Sequence, residues 1–241
     1  MLPNDLLGMG LYFGSLIATG LPAILLKYFF NVPFEVVRKL YHIAITLTIF
    51  PLVMAFENWY MAVLTALLFA VIVYPLLAAV EKTAFYRRIA VERQGGEFKT
   101  SLLIVQLSMA LMLFLFWGVL GAEWKYVAVV AVLAWGLGDA AAALVGKRFG
   151  RRRIRHARIQ GAKTVEGTQA MYVTAGLAIF FTFLFYAGQP WHVSLTAALL
   201  VAPVCAVVEL FSNRGLDTIT VPISAGLAVL ILMTFLSLLG V

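Results

Sequence analysis

The chain has 241 residues, of which 63% are hydrophobic and 12% charged, with a net charge of +7 and a mean hydropathy of +0.99. Soluble domains carry roughly 25% charged residues, so this composition excludes a soluble globular protein and indicates an integral membrane protein. No soluble basic module is present to carry the positive charge. The charge therefore indicates contact with anionic membrane lipids rather than nucleic-acid binding.

Eight apolar runs are long enough for transmembrane helices, each of which needs about 20 residues. They cover approximately 6–26, 41–56, 59–80, 101–120, 124–146, 169–188, 192–211 and 219–240. The second run is short, which leaves seven helices as the alternative. The sequence thus predicts an all-α, polytopic membrane protein, organised as a single transmembrane domain over residues 1–241.

The connections between these runs alternate between basic and nearly neutral. Of the 18 Lys and Arg residues, 17 lie on one set of connections, and Lys125 alone lies on the other. The positive-inside rule then places the basic connections in the cytoplasm and both termini outside. Seven helices would break this partition. The basic 81–100 connector carries charges of both signs and is expected to lie at the membrane surface.

Near the second run, Arg38 and His42 are four residues apart, so they share one face of a helix. Both lie on the predicted cytoplasmic side. This placement makes Arg38 a candidate phosphate contact and His42 a candidate proton acceptor. The alternative is that His42 is an ordinary interfacial residue.

Asp139 stands inside an apolar run among small residues, where a charge costs a few kcal/mol or more. It precedes Lys147 by about two helical turns, so it would face the cytoplasmic mouth and could hold a divalent ion. Magnesium prefers one or two carboxylates together with phosphate oxygens. The alternative is a helix-packing face of small residues that happens to carry one acid.

The connector at 146–168 is predicted to bind a nucleotide, because residues 147–163 contain eight Lys and Arg residues. A helix N-terminus near residue 164 would add free N–H groups for an anion. Glu166 fits either a capping box or a metal site, and Gly150 fits either a phosphate loop or a left-handed helix end. The candidate phosphate contacts are Gly146, Lys147, Arg148, Lys163, Thr164, Gly167 and Thr168.

Two further acids flank the last connection. Glu209 ends the seventh run, and Asp217 begins the eighth, where a capping role is the alternative. Together with Asp139 and Glu166, they are expected at one depth on the cytoplasmic side. Such a gathering of acids and cations predicts a pocket for a metal-bound polyphosphate, with Asp139, Glu166 and Glu209 as the candidate metal ligands.

Three blocks, at 38–42, at 138–150 with 163–168, and at 209–222, resemble the CTP-dependent lipid-alcohol kinases. This family includes phytol kinase, dolichol kinase and the CTP-using diacylglycerol kinase. The resemblance implies transfer of the γ-phosphoryl group of CTP to the hydroxyl of a membrane lipid alcohol, with Mg²⁺ as cofactor. It implies catalytic roles for Asp139, His42 and Asp217. Thr218 departs from the pattern, since the family often has Asn there.

Two other functions remain as alternatives. The string Lys163-Thr-Val-Glu-Gly167 is also similar to one in phosphatidate cytidylyltransferases, which would make a CDP-lipid, but their His-Gly-Gly element does not occur here. A small transporter would favour midplane charges and paired repeats, and neither is present in the sequence. The lipid alcohol is left open, and a homodimer is one arrangement that the helices allow.

Overall fold

The computed structural model describes residues 3–30, 32–83, 86, 97–157, 159, 162–213 and 215–240. Within these residues, eight helices are long and apolar enough to cross a membrane. The predicted all-α fold with eight such helices is confirmed, and the seven-helix alternative is wrong. Packing divides the chain into two compact units, Met1–Val119 and Leu120–Val241, here called the N-terminal and C-terminal units. That residues 1–241 act as a single domain stays a prediction.

Five α-helices are described with both ends in the N-terminal unit. They are α1 (Pro3–Phe29), α2 (Phe34–Leu47), α3 (Ile49–Met54), α4 (Trp59–Val80) and α5 (Glu97–Leu113), which a π-helical turn continues to Val119. Helices α2 and α3 together form one span, Phe34–Met54. The break at Thr48 follows from Pro51, which has no N–H to donate to the carbonyl of Leu47.

Four long helices are described in the C-terminal unit. They are α6 (Lys125–Phe149), α7 (Val165–Phe181, continued by a π-helical turn to Tyr186), α8 (Trp191–Phe211) and α9 (Asp217–Leu238). Helix α6 packs against α7 and α9, and α8 packs against both α7 and α9. Every residue of α6 from Val127 to Gly136 is buried, so α6 is the central helix of this unit.

Two helices begin well before their apolar runs: α2 begins at Phe34 rather than near 41, and α5 at Glu97 rather than near 101. Each early turn contains charged or small residues, which lower the hydropathy but do not prevent helix formation. Arg38 and His42 therefore lie inside α2 and do not open it. The helix starts expected near residue 164 and at Asp217 are confirmed, since α7 begins at Val165 and α9 at Asp217.

Glycines let α6 and α7 approach closely. A Cβ on Gly138 would lie 2.4 Å from Sδ of Met171, and a Cβ on Gly167 would lie 2.9 Å from the carbonyl oxygen of Ala142. Real Cβ atoms do not tolerate such distances in a close-packed interior. This tight contact brings the end of α6 and the start of α7 together.

Candidate active site

The start of α7 is fixed by Thr164. This residue is the N-cap, and its side-chain oxygen accepts a hydrogen bond from the backbone N–H of Gly167 at 3.1 Å. The cap satisfies one of the free N–H groups that every helix start presents. The helix start expected near residue 164 is confirmed, but no capping box forms, because the third helical residue is Gly167 and Glu166 is the second.

The carboxylate of Glu166 accepts from the backbone N–H of Arg152, with both oxygens 3.3 Å from the nitrogen. This bond joins the first turn of α7 to the connector that precedes it. Glu166 also lies in the first turn, where a negative charge is favourable to the helix dipole. Its carboxylate thus has a backbone partner 14 residues earlier in the chain.

The connector between α6 and α7 contains two short antiparallel segments, 152–154 and 163–165, here called the paired connector. The backbone N–H of Ile154 donates to the carbonyl of Lys163 at 3.0 Å, and that of Val165 donates to the carbonyl of Arg152 at 3.0 Å. Arg153 and Thr164 face each other between these bonds. The connector covers residues 150–164, since α6 ends at Phe149 and α7 begins at Val165. That the predicted 146–168 loop binds a nucleotide stays a prediction.

Gly150 ends α6 without a left-handed cap. Its φ of −64° and ψ of 110° are those of an extended residue, and its N–H donates to the carbonyl of Gly146 at 3.1 Å. A Cβ there would lie 2.6 Å from Cγ2 of Thr164. The left-handed alternative is wrong, and Gly150 is needed for close approach instead.

Lys163 reaches from the paired connector to the last turn of α8. Its ammonium forms an ion pair with Oε1 of Glu209 and donates to the backbone carbonyl of the same residue at 3.1 Å. Glu209 is 4% exposed, and burying a carboxylate is unfavourable unless a cation compensates it. The ion pair therefore ties the connector before α7 to the end of α8.

Two more acids act on the same carboxylate. The charges of Asp139 on α6 and Asp217 on α9 both interact unfavourably with Glu209, while Lys163 interacts favourably with it. Asp139 and Asp217 are each half-buried. The N-cap of α9 is Leu216, so Asp217 is the first helical residue and does not cap the helix. Within the C-terminal unit, Lys163 thus contacts Glu209, and the charges of Asp139 and Asp217 act on the same carboxylate.

The remaining candidates of this unit have other surroundings. Lys147 and Arg148 are exposed in the last turn of α6, and Arg148 lies over the ring of Phe149 at 5.6 Å. The Thr168 hydroxyl donates to the carbonyl of Thr164 at 3.2 Å. Gly146 and Gly167 lie in the α6–α7 contact. Phosphate contact by these residues stays a prediction.

Arg38 and His42 belong to the N-terminal unit. The guanidinium of Arg38 pairs with Glu35 on the same helix, at 3.0 Å from Nε and 2.9 Å from Nη2. His42 is half-buried, and its backbone carbonyl accepts from the hydroxyl of Thr46 at 2.8 Å. Their predicted contacts with phosphate and with the substrate proton stay predictions.

No three His, Cys, Asp or Glu side chains come close enough to hold a metal ion together among the residues that the structure describes. A three-carboxylate site from Asp139, Glu166 and Glu209 is therefore not formed by the protein alone. Magnesium commonly takes one or two carboxylates and completes its shell with phosphate and water oxygens. The acids around Glu209 fit that mode of binding.

Sequence reasoning did not find two contacts of this region. One joins α8 to α9 through the hydroxyls of Ser212 and Thr220, which are 2.7 Å apart. The other is the bond from Arg152 to Glu166, which uses a backbone group and so leaves no side-chain pattern.

Part of the basic connections lies outside the described residues. This part comprises most of the 81–100 connector and the arginines Arg87, Arg88, Arg93, Arg158 and Arg214.

Comparison with known proteins gives a partial match. No protein-family model matches the chain. Over 98 residues the chain is 39% identical to the phytol kinase of Synechocystis sp.. The match covers 41% of this chain and 40% of the length of that relative. This distant similarity points to the phytol kinase-like family, and it covers less than half of either protein.

Proposed function

We propose that this protein is a membrane-embedded kinase that transfers the γ-phosphoryl group of CTP to the hydroxyl of a lipid or isoprenoid alcohol. The observation that carries the proposal is the ion pair of Lys163 with buried Glu209, a carboxylate on which the charges of Asp139 and Asp217 also act. Acids whose charges oppose one another do not favour folding, so this arrangement supports a functional site. The partial similarity to phytol kinase supports the class of reaction.

The chemistry suits these residues. Phosphoryl transfer requires positioning and charge neutralisation more than covalent catalysis. Lys163, together with Lys147 and Arg148, would bind the oxygens of the β- and γ-phosphates. Lys163 would contribute most to phosphate binding, because its backbone is hydrogen-bonded in the paired connector and its ammonium is held at Glu209. Glu209, Asp139 and Asp217 are here called the acidic cluster.

Asp139 and one further carboxylate, Glu209 or Glu166, would hold Mg²⁺. When bound, the ion neutralises charge on the transferring phosphoryl group. Glu209 serves a second purpose, since it keeps the Lys163 ammonium beside the acids.

In the transfer step, the hydroxyl oxygen of the lipid alcohol forms a bond to the γ-phosphorus. The bond from that phosphorus to the β–γ bridging oxygen breaks, and CDP leaves. The hydroxyl proton would pass to a carboxylate of the C-terminal unit, Asp217 or Asp139. Both substrates would meet at the membrane–water boundary, so that the apolar tail stays among the lipids.

We also propose the orientation that the charge distribution predicts, with both termini outside and the acidic cluster on the cytoplasmic face. Single cysteines placed in the connections would test this with a membrane-impermeant thiol reagent. Cysteines in the connector between α6 and α7 should react only in inverted vesicles. Reaction in right-side-out vesicles would overturn the orientation without affecting the proposed chemistry.

The central experiment incubates purified protein with Mg²⁺, labelled CTP or ATP, and a panel of lipid alcohols. The panel contains phytol, farnesol, geranylgeraniol, a longer polyprenol and diacylglycerol. A kinase yields CDP and a lipid monophosphate. A cytidylyltransferase, acting on a lipid phosphate added in parallel, would instead yield pyrophosphate and a CDP-lipid. Absence of a phosphorylated lipid with every alcohol and both nucleotides would refute the proposal.

A further inference from the structure

The predicted metal ligand Glu166 already has a partner in the protein. Both of its carboxylate oxygens lie 3.3 Å from the backbone nitrogen of Arg152. The bond crosses from the first turn of α7 to the first residue of the paired connector. Arg152 also accepts a bond at its carbonyl, from the N–H of Val165 at 3.0 Å. Arg152 is thus held to the start of α7 at both its backbone groups.

The paired connector also fixes the backbone position of Lys163. The carbonyl of Lys163 accepts from the N–H of Ile154 at 3.0 Å, and Thr164, the next residue, caps α7. The side chain of Lys163 then extends to Glu209 on α8. A lysine ammonium is carried on a flexible four-carbon stem, so a fixed backbone at its root reduces the range over which the ammonium can move.

We infer that Glu166 is a positioning residue: its bond to Arg152 holds the paired connector against the start of α7 (here called the lock) and thereby fixes the backbone position of Lys163. The importance of that position for binding phosphate rests on the proposed function. The inference assigns Glu166 a role different from metal binding. A hydrogen bond from a backbone N–H to an ionised carboxylate is stronger than a neutral one. It also closes the connector next to Arg151, Arg152 and Arg153, which are all exposed.

The two roles predict different results for two variants. In Glu166→Gln, the amide oxygen can still accept from the N–H of Arg152, so the lock is partly preserved, whereas a carboxylate ligand for magnesium is lost. In Glu166→Ala, the hydrogen bond and the ligand are both lost. The lock therefore predicts that the Gln variant retains more kinase activity than the Ala variant. It also predicts a higher KM for CTP in the Ala variant, with an unchanged Mg²⁺ concentration for half-maximal rate.

Limited trypsin digestion of the purified protein in detergent tests the lock without any assay of function. The arginines of the connector are the cleavage sites, and mass spectrometry of the fragments identifies them. Glu166→Ala should be cut there about tenfold faster than the wild type, because proteolysis follows the population of the opened segment. Glu166→Gln should fall between the two. The matched control is Glu123→Ala, which removes a glutamate just before α6 and should be cut at the wild-type rate.

Two results would overturn the inference. One is equal cutting of Glu166→Ala and Glu123→Ala. The other is a raised Mg²⁺ requirement with Gln as damaging as Ala, which is the behaviour of a metal ligand. If the wild type transfers no phosphate to any lipid alcohol, the proposed function fails, and the trypsin result still decides whether Glu166 locks the connector.

Discussion

The two units use buried polar groups in different ways. In the N-terminal unit, the hydroxyl of Tyr12 donates to Oε1 of Gln106 at 2.5 Å, and both side chains are fully buried. In the C-terminal unit, buried Glu209 pairs with Lys163, and the charges of Asp139 and Asp217 act against it. A neutral donor and a neutral acceptor that bond to each other stabilise a membrane fold. Acids that repel each other do not, and their persistence points to a ligand that neutralises them.

This difference separates residues whose loss should lower stability from residues whose loss should lower activity. The Lys163–Glu209 pair belongs to both groups, because it compensates a buried charge and also supplies the cation of the proposed site. Asp139 belongs to the second group. The glycines of the α6–α7 contact and the Tyr12–Gln106 pair belong to the first.

The largest effect is expected from Lys163→Met. It leaves the Glu209 carboxylate buried without its cation, which should lower the free energy of unfolding by about 3 kcal/mol. Adding Glu209→Leu removes the unpaired charge and should restore most of the stability, but not the activity. Thermal unfolding in detergent and the kinase assay measure the two effects. Lys82→Met, at an exposed lysine of the other unit, is the control. A double variant with restored activity would show that the pair is only structural.

Asp139→Asn should lower the rate of phosphoryl transfer about a hundredfold, as when a charged group that stabilises a transition state is removed. Stability should not fall, and it should rise slightly, because one of the two acids that oppose Glu209 becomes neutral. The rate at saturating Mg²⁺ and the melting temperature are the measurements. Glu57→Gln, at an exposed acid between α3 and α4, is the matched control. Full activity of Asp139→Asn at normal expression would exclude the metal role.

How far the sequence predicts this arrangement differs between residues. The eight helices follow from apolar runs, and the Thr164 cap follows from its place before a helix start. For Lys163 and Glu209, the sequence predicts only that both lie at the same depth on the cytoplasmic side. It does not predict their ion pair, since no sequence spacing indicates a contact between residues 46 positions apart.

The start of α2 was missed for a physical reason. Its first turns contain Glu35, Arg38 and Lys39, which lower the hydropathy of the segment. Glu35 and Lys39 are nevertheless buried, at 7% and 3% exposure, and Arg38 is paired with Glu35. Glu35 stands three residues before Arg38, which is a helical ion-pair spacing. That spacing was the available signal for an earlier helix start.

Gly167→Ala should lower the free energy of unfolding by about 2 kcal/mol, because the new Cβ would meet the backbone carbonyl of Ala142 at 2.9 Å in a well-packed contact. Gly176→Ala in the same helix is the matched control. Its Cβ would meet only Ala202, at the ordinary distance of 3.5 Å. The control should gain about 0.5 kcal/mol, since alanine favours helices. Equal melting temperatures for the two variants would contradict the close approach of α6 and α7.

The smallest effect is expected from Tyr12→Phe, which removes one hydroxyl from the N-terminal unit and leaves Oε1 of Gln106 without this donor. Hydrogen bonds between membrane helices contribute about 0.6 kcal/mol on average, and the loss should be of that order. Tyr60→Phe, at an exposed tyrosine of the same unit, should change nothing. Activity per folded molecule should stay at the wild-type value, because the Tyr12–Gln106 pair stabilises α1 against α5 and takes no part in transfer. A large loss of activity at unchanged stability would mean that the N-terminal unit also uses its buried polar groups for chemistry, and the contrast between the two units would no longer hold.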